Sequence, residues 1–136
     1  MNASIAKAVH QLLATNSLIQ DNLGTPPRLY DAAPEDPVFP YLSYGNLRSE
    51  DIGGDETHLT SHQMTLHLWS RYSGRSEILT LITVLKQVLA DKTGLAVALE
   101  TGSVISSAVL FTDILRAADG RTHHGLLRLS VLTETT

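Results

Sequence analysis

Met64-Thr65-Leu66-His67-Leu68-Trp69-Ser70-Arg71-Tyr72-Ser73-Gly74-Arg75 decides the fold, because an alternating strand runs through an aromatic and basic corner into a strongly amphipathic helix. In a pleated strand successive side chains point to opposite faces, so Met64, Leu66 and Leu68 share one face and Gln63, Thr65, His67 and Trp69 the other. The first set is a core face. The second cannot be simply wet, since Trp69 is large and apolar, so a loop, a helix or another subunit is expected to cover it.

Downstream, Ile78, Leu81, Ile82, Leu85, Val88 and Leu89 form an unbroken helical stripe. Ser76 is the expected N-cap, Glu77 sits near the positive end of the helix dipole, and Gly94 follows Lys92 as the stop, giving a helix over Ser76 to about Asp91. Upstream, Ile5, Ala8, Val9, Leu12 and Leu13 predict a helix over Ala3 to Ala14 capped by Asn2 or Ser4. A further turn around Leu18 and Ile19 ends at Gly24 and Pro26-Pro27. Short strands are expected at Arg28 to Tyr30 and Pro40 to Tyr44, with a turn over Ala33 to Pro37. Ala96 to Leu110 reads as extended chain, and Gly125 to Leu132 alternates as a central strand. Between strands, the polar and acidic run Gly45 to Glu56 is expected to be a long mobile loop spanning about residues 45–57, a candidate contact arm. The fold class that results is α+β: one small domain over 1–136, with an antiparallel or mixed sheet of four to five strands and two helices packed on one face.

Composition excludes several functions. The chain of 136 residues has no cysteine, which removes disulfides, thiolate metal sites and thiol catalysis together. A formal charge of −4 gives no basic footprint for gripping nucleic acid. No apolar run approaches the roughly 18 residues of a membrane span, and Met1-Asn2-Ala3-Ser4 lacks a signal-peptide profile, so a soluble chain made in the cytoplasm is expected. Catalytic signatures are equally thin. There is no Gly-x-Ser-x-Gly elbow and no phosphate-binding glycine loop. The six histidines, His10, His58, His62, His67, His123 and His124, lack ligand spacing: His58 and His62 would lie about 13 Å apart on a strand, and His123 and His124 point to opposite sides. Glu50, Asp51, Asp55 and Glu56 are read as a solvated acidic loop, since a flexible segment does not hold catalytic geometry. No catalytic residue, cofactor or metal ligand is expected. Asp119-Gly120-Arg121 predicts a turn, with Gly120 taking a positive φ. Trp69, Arg71, Tyr72 and Arg75 remain as candidate contacts with another subunit or an anionic partner.

Several short signatures occur in a characteristic order: Arg28-Leu29-Tyr30-Asp31, then Pro34 and Phe39-Pro40-Tyr41, then Leu66 to Ser70 with Gly74, then Asp119 to Gly125 before the last strand. In this the chain resembles the tail completion, or tail terminator, family of long-tailed phages and phage-derived gene transfer agents. The resemblance implies a non-enzymatic structural virion protein that assembles as a homohexameric ring, caps the tail tube protein, and joins it to the head-tail connector or stopper protein. DNA would pass through without specific binding, and no membrane is involved. The acidic run Gly45 to Glu56 matches no motif of that family. As a channel lining it would repel phosphate, six copies at −4 carrying about −24. The alternatives are a small metal-dependent hydrolase using His58, His62 and the neighbouring acids, or a ligand-binding α+β module.

Overall fold

The computed structural model describes residues 2–56 and 58–135. In chain order the elements are α1 (Asn2–Thr15), α2 (Ser17–Leu23), β1 (Leu29–Tyr30), β2 (Tyr41–Asp51), β3 (His58–Ser70), α3 (Ser76–Leu89), α4 (Lys92–Ala98), β4 (Ser103–Arg116) and β5 (His123–Thr135). The strands form one sheet in the order β1-β2-β3-β5-β4. β1 runs parallel to β2 and all other neighbours are antiparallel, so the sheet is mixed and the fold is α+β.

The two-residue period of β3 sets the core. Leu68, Leu66 and Met64 lie opposite Gly125, Leu127 and Leu129 of β5. Those side chains join Leu42 and Val131 in one buried cluster with Ile5, Ala8, Val9 and Leu13 of α1, Ile19 and Leu23 of α2, the α3 stripe, and Leu95 of α4. All four helices therefore sit on the same sheet face. Gly125 makes the close approach possible: a Cβ there would lie 3.0 Å from the Cδ1 atoms of both Ile78 and Ile82. A bare backbone at this point lets α3 settle directly onto the two central strands.

Several local expectations are corrected. Gly45 to Asp51 is not a loop but the second half of β2, paired from Leu47↔Met64 through Asp51↔Thr60, with a bulge between Tyr44 and Leu47. Backbone pairing to a long β3 overrides a composition rich in turn residues, and the turn begins only at Ile52. Ser76 is the first residue of α3 rather than its cap, and Arg75 holds the cap position with no side-chain hydrogen bond. The helix ends at Leu89, because Asp91 caps a new one: its side chain accepts from the Gly94 amide, 3.0 Å away. Ala96 to Ala98 therefore belongs to α4, while β4 starts at Ser103 and continues past Leu110 to Arg116. Ser4 lies inside the first turn of α1 and so does not cap it; the Asn2 side chain is outside the described residues. Asn16 caps α2, accepting from the Leu18 and Ile19 amides, and Gly24 at φ 97° ends it. With the two short helices added, four helices occur among the described residues in place of two.

Candidate interaction surface

The face of the sheet opposite the core carries Tyr41, Trp69, His124 and Leu115 at one level and Ser43, His67, Leu126 and Asp113 at the next. No helix among the described residues packs on it. What partly covers Trp69 is a row of rings from three strands and a loop. Phe39 lies 5.1 Å from Tyr41, Tyr41 stacks 6.2 Å from Trp69, and Trp69 lies nearly parallel to His124 at 4.0 Å between centroids and 7° between planes. Offset and stacked rings of this kind exceed simple area burial in stability. The indole Nε1 donates to Ser43 Oγ at 3.0 Å, so the polar handle of Trp69 is satisfied within the chain.

His67 completes the row, its Nδ1 2.7 Å from Nε2 of His124, one ring donating to the other. Burial holds both imidazoles below their ordinary 6.5, and for His124 the neighbouring His67 adds to the effect. Both are therefore neutral at pH 7. The His67 ring lies over the β2 bulge, where a Cβ on Gly45 would come within 2.6 Å of Nε2.

The corner after β3 is built around Asp119. Its Oδ2 accepts from the Thr122 hydroxyl and its Oδ1 from the Arg121 and Thr122 amides. Those bonds, the Thr122 hydroxyl first, hold its carboxyl down at about 2. Gly120 takes φ 75°, as expected for this turn. Arg71 is committed here: its Nε donates to Thr122 Oγ1 at 3.0 Å, its Nη2 lies 3.6 Å from Asp119 Oδ2, and its guanidinium covers the Phe39 ring at 4.3 Å. Of the other candidate contacts, Tyr72 is 53% exposed. Arg75 lines a cleft of about 270 Å³ with Ile114, Leu115, Arg116 and His123. The structure thus brings Trp69, Arg71 and the β4 edge to one end of the sheet.

The acidic candidates lie at the other end. Glu50 pairs with Arg48 at 3.5 Å, the Asp51 carboxylate accepts from the Gly53 amide, and Asp55 and Glu56 are exposed in the turn between β2 and β3. The 11-residue length of β2 puts Asp51, at this tip, about 33 Å from Tyr41. One candidate contact region is therefore two.

Sequence reasoning missed the reach of β4. Ile105, Leu110, Phe111 and Leu115 are all between 41% and 50% exposed on an edge strand of 14 residues that pairs, among the described residues, with β5 alone. Long unpaired edges bearing apolar side chains are templates for another chain. The signal available in the sequence was the scarcity of charge in Ser103 to Leu115, where Asp113 stands alone.

Histidine chemistry is otherwise structural. His62 is buried with one nitrogen 2.6 Å from Ser49 Oγ and the other 3.1 Å from Thr133 Oγ1, which leaves no free lone pair for an ion. His58 is exposed at the start of β3. His123 and His124 do point to opposite faces, the first into the core side. Among the described residues no group of three or more His, Asp or Glu side chains is arranged to hold a metal. A groove of about 410 Å³ opens between α1 and β2, where His10 Nδ1 lies 2.8 Å from the Tyr44 hydroxyl. Burial, with Asp31 nearby, pushes that phenol above its ordinary range, so it serves as a hydrogen-bonding group and not as a base.

With this geometry in hand, comparison with known proteins is informative. No curated protein matches the chain. A solved structure described as the virion of a native gene transfer agent (GTA) particle contains a chain similar in fold, with TM-score 0.80 and 19% identity, covering 96% of this chain and 93% of that one. The family model "Tail completion protein gp17" matches residues 7–134. The chain belongs to the tail completion protein gp17 family, and is thus a structural protein of a virion tail.

Proposed function

We propose that this protein closes as a homohexameric ring on the end of the tail tube, joins it to the connector or stopper protein of the head, and lets DNA pass without binding it specifically. The observation that carries the proposal is a sheet that, among the described residues, has one face bare of helices and one long apolar edge unpaired, while its other face holds the core. Both surfaces lie outside the main core cluster and are of the kind that subunits cover in an assembly. The family and the gene transfer agent chain of the same fold support a place in the tail. The role is not enzymatic: His62 is spent on strand pairing, and the acidic groups are dispersed around a turn.

The acidic tip has a task in this reading. Glu50, Asp51, Asp55 and Glu56 project at the end of the β2-β3 hairpin, and placed at the channel they repel phosphate and keep DNA sliding. Electron microscopy of tail tubes incubated with the purified chain tests the proposal. Rings at tube ends are expected even if the free chain is monomeric, because the tube end shifts the association equilibrium. Tubes that stay uncapped at saturating protein would refute it.

A further inference from the structure

The two lateral sides of the sheet carry opposite charge at the same end. Asp31, Glu35 and Asp36 are exposed in the segment that leaves β1 and returns to β2, and none has an ion-pair partner among the described residues. Arg116 ends β4, Arg75 lines the cleft against it and Arg121 lies in the turn from β4 to β5; all three are exposed, likewise without an ion-pair partner among those residues. Arg28, bonded to the Pro40 carbonyl, and Asp113, bonded to the Ile114 amide, each offset one charge on their own side, and Asp119 is held by Arg71, so the two sides remain net acidic and net basic. Four strand spacings separate β1 from β4, about 19 Å. These groups cannot neutralise one another within one chain.

We propose that the β1 side of one copy docks on the β4 side of the next, with Asp31, Glu35 and Asp36 facing Arg75, Arg116 and Arg121 and the apolar edge of β4 covered between them. The inference rests on the ring assembly proposed above and specifies which surfaces close it. Copies related by rotation about an axis along the strands keep the same end uppermost, so acidic side meets basic side at every boundary. The chain's own topology favours this contact. β2 and β4 run in opposite directions, since three antiparallel steps separate them, and neighbouring edges therefore approach in the antiparallel sense. Contact of either side with itself would instead set arginine against arginine or carboxylate against carboxylate, which like-charge repulsion opposes. Leu115 lies beside Arg116, and Leu110 and Phe111 continue the same edge farther along β4, supplying the apolar area that charge pairs alone lack.

Charge reversal in the full chain tests this. One variant carries Asp31→Lys, Glu35→Lys and Asp36→Lys; a second carries Arg75→Glu, Arg116→Glu and Arg121→Glu; a third carries all six changes. All replaced side chains are exposed, and thermal melts followed by circular dichroism report whether each variant folds. The readout is the fraction of tail tubes bearing a ring by electron microscopy, as a function of protein concentration. Each half-reversed variant should need about a hundredfold more protein than the parent. An equimolar mixture of the two, and the fully reversed chain, should cap tubes at the parent's concentration. Half-reversed chains that cap as well as the parent would overturn the inference and leave the ring intact. Folded half-reversed chains that fail while both rescues also fail would overturn it too, by placing these charges against the tube or connector. Failure of the parent to form rings would refute the assembly itself.

Discussion

Replacing His62 with alanine should destabilise the protein strongly at neutral pH and weakly in acid. His62 sits in β3 between Ser49 of β2 and Thr133 of β5, 1% exposed, with both ring nitrogens hydrogen-bonded. Its removal breaks two hydrogen bonds at about 1 kcal/mol each and strands the Thr133 hydroxyl in the interior. It also leaves a void. Together these cost about 3–4 kcal/mol, and for a domain of this size the midpoint of thermal unfolding should fall by about 10 °C. The pH dependence has a definite sign. Burial lowers the His62 pKa from 6.5, so below pH 6.5 the unfolded chain binds a proton that the folded chain refuses. Stability conferred by the neutral ring is thus complete above that value and lost as the pH falls, with a slope of up to about 1.4 kcal/mol per pH unit. The His62→Ala chain lacks that slope, so the two stabilities converge in acid. Urea unfolding followed by the fluorescence of Trp69, the single tryptophan, measures both at pH 7.5 and pH 5.5. A loss under about 1 kcal/mol at pH 7.5, or a gap that is the same at both pH values, would refute the reasoning.

Gly125→Val should cost about 1–3 kcal/mol, because the added carbons meet Ile78 and Ile82 and lift α3 from the sheet; an unchanged urea midpoint would contradict the close approach. Leu85→Asp buries a carboxylate in the centre of the α3 stripe and should prevent folding, seen as the loss of a cooperative thermal transition. Acidification below pH 6.5 should quench Trp69 reversibly as His124, stacked on it, takes up a proton. His124→Phe should abolish that titration, and a persistent titration would place the quenching group elsewhere. Lysine at Glu50, Asp51, Asp55 and Glu56 should leave capping intact and slow DNA delivery by assembled particles; delivery at the parental rate would remove the hairpin tip from the channel.

What was legible in the sequence was whatever buries one face only. The α3 stripe and the alternation of β3 and β5 have that property, and each appears where its period placed it. The second half of β2 does not. Ser49 faces His62 and Glu50 faces Ser61, so the strand holds by backbone pairing with no apolar alternation to announce it. α4 hid for a different reason: it is 7 residues long and made by the Asp91 cap, which a reading anchored on Gly94 as a helix stop overlooks. The surface was half legible. Trp69 revealed an unusual second face, but its neighbours Tyr41 and His124 lie 28 and 55 positions away and meet it only through strand register. The opposite charges of the two sheet sides depend on topology in the same way, since Asp31 and Arg116 acquire opposite positions only once β1 and β4 are known to be the edges.

The most direct test of the account is cryo-electron microscopy of tail tubes capped by this protein, at a resolution that places strands. The account predicts a ring of six copies on the tube end, with the β1 side of each against the β4 side of the next. A chain found as a monomer along the tube, or a ring whose β4 edges all remain open to solvent, would contradict it.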